Sequence, residues 1–277
     1  MRVGIVGSGA MARALGGAWA GAGHEVLVGG RERERAAAAA RDAGVRCGTV
    51  GEAVEHGDGA VLLAVPWRAG PVVVAEYAGV LAGRTVVDCS NPVAAGFALA
   101  TGYGPSAAER VAAAAPGVRV VKAFNLCHAG VWDLRPPVFG GRALAVPLCG
   151  DDPGALAAVA ALVRDAGGEP VSAGPLARAH LLEAAAALLI GLWVGEGVDA
   201  QAVAPPLAHA GPLGRPAAAR PEAGPGAGAG AGPLAHAGPL GRPAVARPEA
   251  GPEAGPGGGA GGGPLAHAGP LGRPAAP

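Results

Sequence analysis

Aromatic side chains make up only 3% of this 277-residue chain, and lysine occurs once, at Lys122. A core so short of rings has to be closed by Val, Leu and Ala with elements packed at short range, and much of the 51% hydrophobic content is alanine. Charge of one sign is missing as well. The 21 basic residues balance the 21 acidic ones with no basic stripe, which argues against nucleic acid as a main partner. Cys47, Cys89, Cys127 and Cys149 are far apart, with neither metal-ligand nor secreted-domain spacing, so they read as reduced thiols and no metal site is expected. No uninterrupted run of about 18 apolar residues is available to span a bilayer, and the apolar start is broken at Gly7, unlike a signal peptide. The expectation is a cytoplasmic protein with no membrane partner.

What is present begins at once. Arg2 to Val6 is a β-branched run of the kind buried on both faces of a parallel sheet. Gly7, Gly9 and Ala12 follow in G-x-G-x-x-G/A spacing, a helical stretch runs from Ala10 to Ala22, and a strand resumes from His24 to Val28. In that pattern Gly7 allows the sharp turn, Gly9 lets a pyrophosphate approach the backbone, and Ala12 lets the helix close on the strand. Gly7, Ser8, Gly9, Ala10 and Met11 are therefore candidate dinucleotide contacts at a helix N-terminus. At the end of the second strand stand Gly30 and Arg31, where an NAD site would carry a carboxylate for the ribose 2′-hydroxyl. A guanidinium there suits a 2′-phosphate, so the expected cofactor is NADP(H), with Arg31 and Arg35 as ligands. The alternative is that Arg31, Glu32, Arg33, Glu34 and Arg35 form a solvated first helical turn with i,i+3 pairing.

Further βα units continue the pattern. Strands are expected at Val45 to Cys47, Ala60 to Val65, Thr85 to Asp88, Val118 to Ala123, Arg142 to Cys149 and Glu169 to Ser172. Helices are expected from Glu32 to Ala43, from Pro71 to Leu81, from Pro105 to Ala115, and from Pro153 to Ala166 with Asp152 as N-cap. The architecture is α/β, a Rossmann-type doubly wound parallel sheet with a small C-terminal α/β portion. Ligands of such sheets sit at the carboxyl ends of strands, which nominates Val65, Pro66, Trp67, Asn91 and Ala123 as cofactor contacts. Trp67 reads equally as a core-edge aromatic, and Lys122 as an ion-pair residue before a catalytic one. Asn125 and His128 are the catalytic candidates, with His128 either a general acid or an ordinary loop residue. A long apolar helix from Arg178 to Val194 needs a partner surface, the sheet or a second subunit, so a homodimer is an expectation.

Seven blocks carry a resemblance: Gly7-Ser-Gly-Ala-Met-Ala12, His24-Glu-Val26 with Gly29-Gly-Arg31, Leu63-Ala-Val-Pro-Trp67, Val87-Asp-Cys-Ser-Asn-Pro92, Val121-Lys-Ala-Phe-Asn125, Val146 to Asp152, and Ala173-Gly-Pro-Leu176 with Leu182-Glu183. In this order the chain, over about residues 1 to 200, resembles the coenzyme F420-dependent NADP oxidoreductases, a domain type shared by membrane ferric reductases of the STEAP kind. The resemblance implies NADPH in the cleft and a deazaflavin, coenzyme F420, as small-molecule hydride partner, a reaction that needs positioning more than acid or base. Departures from the family are Gly30 where members carry Ser, and Asn125-Leu-Cys-His128 with an alanine-lined last helix where members supply polar contacts to the second ring. Imine reduction, as in pyrroline carboxylate reductases, and a non-catalytic NADPH-binding regulator are the alternatives.

From Ala202 the composition turns to Pro, Gly and Ala, and Pro-Leu-Ala-His-Ala-Gly-Pro-Leu-Gly-Arg-Pro-Ala recurs from Pro206, Pro233 and Pro264 with unequal spacers. A solenoid needs a regular period and an apolar face, so a disordered tail is expected. The expected organisation is residues 1–122 as the NADP-binding domain, 123–203 as a small substrate and dimerisation portion, and 204–277 as the tail.

Overall fold

A computed structural model describes residues 1–198; the expected tail lies outside the described residues. Ten strands and eight α-helices follow in the order β1 (Arg2–Val6), α1 (Ala10–Gly21), β2 (Glu25–Gly29), α2 (Arg33–Ala43), β3 (Arg46–Gly48), α3 (Val50–His56), β4 (Ala60–Leu63), α4 (Gly70–Glu76), α5 (Ala78–Leu81), β5 (Thr85–Asp88), α6 (Ala107–Ala114), β6 (Arg119–Lys122), β7 (Val138–Phe139), β8 (Arg142–Ala143), β9 (Ala145–Gly150), α7 (Pro153–Asp165), β10 (Glu169–Gly174) and α8 (Ala179–Ile190). The main sheet has the order β3-β2-β1-β4-β5-β6-β9-β10. Its first six strands are parallel, β9 joins β6 antiparallel, and β10 lies parallel to β9. The fold is the expected α/β type, doubly wound, with the chain crossing from one side of β1 to the other between β3 and β4.

Helices on both faces bury the strands, which is why β4 and β5 are buried along their whole length without alternation. Val3, Ile5, Leu62 and Val87 face one core with Leu15, Trp19, Val159 and Leu162. Val6, Val61, Leu63 and Val86 face the other with Val54, Val74, Val111 and Leu182. Bare backbone makes the close packing possible: a Cβ at Gly4 would stand 1.9 Å from the Ala53 carbonyl oxygen, so α3 rests directly on β1. Three of the scarce aromatics gather behind the end of β6. Phe124 meets Trp19 and Trp132 edge-on at 5.8 and 5.3 Å, and the Trp19 indole N–H donates to the Leu162 carbonyl at 2.9 Å.

Several bounds differ from expectation for local reasons. The helix expected from Pro71 to Leu81 breaks at Tyr77 into α4 and α5. The strand expected from Arg142 to Cys149 is divided at Leu144 into β8, which pairs back on β7 across a two-residue turn at Gly140 and Gly141, both at positive φ, and β9, which joins the main sheet. Asp152 caps α7 as expected, its carboxylate accepting from Ala155 N at 2.7 Å. The last helix is regular only to Ile190 and widens into a π-turn over Gly191–Gly195. Phe97 explains the placement of small residues there, since a Cβ at Gly191 or Gly195 would come within 3.1 or 3.0 Å of its side chain.

Leu176–Gly195 is, by length and mean hydropathy of 1.4, long and apolar enough to cross a membrane, although Arg178, His180 and Glu183 interrupt it. Its first half is packed on the protein through Ala179, Leu182, Ala186 and Ala187, while Leu181, Leu188 and Val194 face outward.

Candidate active site

At the carboxyl end of β1 the chain turns at Gly7, where φ is +128° and a Cβ would meet the Ala64 carbonyl oxygen at 2.1 Å. The Gly7 N–H donates across to Gly29 O at 2.8 Å, which locks the turn to the end of β2. Gly9 then caps α1 with no side-chain partner, no acidic residue occupies the first turn, and the space where its Cβ would stand is open to 4 Å. The first N–H groups of α1 are thus left for an anion, at the positive end of the helix dipole. Gly30 lies beside Ser8, its would-be Cβ 3.6 Å from Ser8 Oγ. Arg31 is exposed at the end of β2 without a carboxylate partner among the described residues. Arg35 pairs with Glu32 at 3.2 Å on the surface, the i,i+3 pairing weighed above, and such an exposed pair holds it only weakly. Arg13, one turn into α1, is instead engaged bidentately by Asp133 at 3.0 and 2.6 Å, which ties the loop after β6 to the glycine turn. The residues present fit a dinucleotide pyrophosphate on Gly9 to Met11 and a 2′-phosphate near Ser8 and Arg31.

Beyond this turn a cleft of about 510 Å³ opens between the strand ends and α8. Gly9, Ala10 and Met11 line one end, Ala64, Val65, Cys89, Ser90 and Asn91 its floor, Phe124 to Ala129 its side, and Ala186, Ile190, Trp193 and Val194 the opposite wall. Val65, Asn91, Asn125 and His128 therefore meet here. Three expected contacts do not: Ala123 is fully buried in the core, Pro66 is exposed at the rim, and Trp67 is half-buried outside the lining. Ala123 directly follows β6 into the core, and Pro66 and Trp67 belong to the turn that leads from β4 to α4.

Asn125 is 4% exposed and links three elements. Its Nδ2 donates to Asn91 Oδ1 at 3.0 Å and to the Leu182 carbonyl of α8 at 3.1 Å, while Asn91 Nδ2 donates to the Asn125 carbonyl at 2.8 Å. Both donors of the Asn125 amide are used, which fixes its orientation and leaves Oδ1 buried without a partner among the described residues. Phe124, in the left-handed region at φ +63°, makes the bend that turns this loop into the cleft. His128 is exposed at the mouth and caps a short 3₁₀ turn, its Nδ1 accepting from Gly130 N at 3.1 Å. In the neutral ring that leaves the proton on Nε2. Burial pushes the thiols of Cys89 and Cys127 up to about 12, so both line the cleft as neutral groups rather than nucleophiles.

Behind the floor lies an arrangement whose partners the sequence did not name. Lys122 Nζ, fully buried, donates to Asp88 Oδ2 at 2.8 Å, Glu183 Oε1 at 2.9 Å and the Ser90 carbonyl at 2.6 Å. Glu183 also accepts from the Ala107 and Ala108 N–H groups at 3.0 and 3.3 Å, compensating the N-terminus of α6. Asp88 Oδ1 accepts from Ser90 N at 3.0 Å. Lys122 is thus an ion-pair residue and makes no contact with the cleft lining except through the Ser90 backbone. The readable signal was a glutamate at position 183 inside an otherwise apolar helix, opposite the chain's single lysine.

With this geometry in view, residues 2–92 match the family model described as NADP oxidoreductase, coenzyme F420-dependent. A solved protein of Arthrobacter sp. FB24, proposed to be an F420-dependent NADP-reductase, shares the fold with TM-score 0.62 and 23% identity over 72% of this chain and 96% of its own. A hypothetical protein of Sinorhizobium meliloti, SMa0349, is similar with TM-score 0.58 and 28% identity, covering 64% of this chain and 86% of its own. The metalloreductase STEAP3 of Rattus norvegicus is 34% identical over 193 residues, 69% of this chain, and the chain spans 38% of that relative's length. The family is one of NADP-binding oxidoreductases.

Two outcomes follow from the buried groups. Burial opposes the charge on Lys122, but Asp88 and Glu183 outweigh it and hold its pKa above the ordinary lysine value. A raised folded-state value means its stabilising contribution is complete below the unfolded pKa of about 10.4 and is lost as pH climbs through the folded one. Lys122→Met should lower unfolding stability at neutral pH by about 3–5 kcal/mol, since two buried carboxylates lose their cation. Urea midpoints of wild type and variant should converge as the pH is raised past about 10; curves that stay parallel would contradict the assignment. Thiol titration at mild alkaline pH should modify exposed Cys47 in the native protein and reach Cys89 and Cys127 only after denaturant is added.

Proposed function

We propose that this chain is an NADPH-dependent oxidoreductase that moves a hydride between NADP(H) and a deazaflavin of the coenzyme F420 kind. The observation that supports it most is the cleft itself: an uncapped helix N-terminus suited to phosphate leads directly into a mostly apolar chamber with room for a ring pair. Gly9, Ala10 and Met11 bind pyrophosphate through their N–H groups, and Arg31 reads the 2′-phosphate. Ile190, Trp193 and Val194 exclude water from the opposite side, and Val65 and Asn91 support the floor. The nicotinamide supplies or takes up the hydride, a step that needs two rings held in register and no proton-transfer pair. Such a pair is not assembled in this cleft: His128 is engaged as a cap through Nδ1, and the two thiols are neutral. The match to a metalloreductase spans 38% of that longer protein, and it supports the oxidoreductase class of the reading rather than a metal substrate.

Absorbance-monitored NADPH oxidation, with oxidised deazaflavin or a flavin as acceptor, tests the reading. Rapid oxidation with deazaflavin and slow oxidation with flavin is the expected result; tight NADPH binding with no turnover on either would replace it with a sensor. Arg31→Glu should reduce the preference for NADPH over NADH by about tenfold or more, because a charge-assisted contact becomes a repulsion. An unchanged preference would remove Arg31 from the 2′-phosphate site.

A further inference from the structure

Ser90, on the floor of the cleft, carries the one hydroxyl among the described lining residues, and it is half-buried just past the end of β5. Its peptide groups are held from behind by the ion cluster. The Ser90 N–H donates to Asp88 Oδ1 at 3.0 Å, the Ser90 carbonyl accepts from Lys122 Nζ at 2.6 Å, and Lys122 closes the ring by donating to Asp88 Oδ2 at 2.8 Å. Charge-assisted bonds on both sides of one residue fix its main chain, and a side chain with a single rotor then has few positions left. Neither bond uses the hydroxyl, which can donate once and accept twice. The neighbouring polar side chains already have partners. Asn91 and Asn125 bond to each other and to Leu182, the remaining Oδ1 of Asn125 is buried, Cys89 donates to the Leu63 carbonyl at 3.4 Å, and His128 caps the 3₁₀ turn at the mouth.

Position selects the ligand. Neighbouring strands lie about 4.8 Å apart, so β5, two places from β1 in the order β1-β4-β5, lies about 10 Å from it across the sheet. A dinucleotide with its pyrophosphate on Gly9 to Met11 has a ribose and then the nicotinamide to lay across that span, over the ends of β4 and β5. The polar substituent of that ring is a planar carboxamide with two donors and an acceptor, and leaving it unpaired in a mostly apolar chamber weakens binding. We infer that the Ser90 hydroxyl hydrogen-bonds the carboxamide of the nicotinamide and so selects the rotation in which the ring is presented to its hydride partner. The inference rests on the NADP(H) reading above and adds to it a contact for the reacting ring. It also gives the buried cluster a part in the site: Lys122 and Asp88 position the residue that touches the cofactor.

Calorimetric titration of the full chain with NADP+ and with 2′-phosphoadenosine diphosphoribose, the same molecule without its nicotinamide, tests this. Ser90→Ala should weaken NADP+ binding about fivefold, the loss expected for one neutral hydrogen bond, and leave the affinity for the truncated ligand unchanged. Equal weakening of both ligands would make Ser90 a structural residue of the cleft and overturn the inference. So would a variant that binds NADP+ as tightly as the wild type. A wild type that binds neither ligand removes the NADP(H) reading itself, and the contact falls with it. Lys122→Met, which takes away the donor to the Ser90 carbonyl, reads the positioning role. It should weaken NADP+ binding in the wild-type background and have no such effect once Ser90→Ala is in place, whereas the same loss in both backgrounds overturns that role. Asp88→Asn, which turns the bond to the Ser90 N–H from a charge-assisted into a neutral one, answers the same question where Lys122→Met does not fold.

Discussion

A charged group without water around it has to be paired or it will not stay charged, and Lys122 meets that constraint with Asp88, Glu183 and the Ser90 carbonyl in one buried cluster. Four elements converge on its ammonium: Asp88 ends β5, Lys122 ends β6, Glu183 lies in α8 and holds the first N–H groups of α6. A hydrophobic face alone would let α8 slide or rotate on the sheet with little penalty, because its apolar residues run nearly all the way round. Glu183 has no such freedom. Rotating α8 by one residue would take its carboxylate away from Lys122 and leave both charges buried and unpaired, so the cluster sets the helix's register as well as contributing stability.

That register decides the shape of the cleft. Ala186 and Ile190, one and two turns beyond Glu183, form the wall facing the glycine turn, and Trp193 and Val194 continue it through the π-turn. Leu182 offers its carbonyl to Asn125 on the same side, so the amide that borders the chamber is aimed by the helix that the ion cluster holds. The buried ion pairs are therefore kept behind the floor, and the chamber in front of them is mostly apolar. A low dielectric there keeps Cys89 and Cys127 as thiols.

How much of this could be read from the chain depended on the distance over which each signal acts. The glycine turn, the α/β alternation and the Asp152 cap are local, set by spacing within a few residues, and the structure has them where the residues put them. Val65, Asn91, Asn125 and His128 were placed by one topological rule, that ligands meet strand ends, and they do line one cleft. The same rule named Pro66, Trp67 and Ala123, which do not line it, because the rule places strand ends and leaves open which residues of the following turn face the ligand. Partners distant in sequence were not legible. Lys122 and Glu183 are 61 residues apart, and Phe97 shapes a π-turn almost a hundred positions later; in both cases one member alone looks ordinary. The Gly140-Gly141 hairpin was legible in principle, since paired glycines between short β-prone runs are a local turn signal, and its second arm, β8, is the first part of a strand read as continuous from Arg142 to Cys149.

The scarcity of aromatics gives the remaining constraint its weight. With 3% of the chain available as rings, three of them form the edge-on stack of Trp19, Phe124 and Trp132 behind the β6 end, and Trp193 lines the cleft. Elsewhere Ala and Gly close the contacts by bringing backbones together, as α3 does over Gly4. Rings are therefore concentrated where stiffness and shape matter more than volume. Phe124 carries the left-handed bend of the loop, and its two edge-on neighbours hold it against the relaxation that a strained φ favours. Arg13 and Asp133 clamp the same loop back onto α1, whose N-terminus lines one end of the cleft. One rigid connection thus runs from the glycine turn to the side of the cleft formed by residues 124–129.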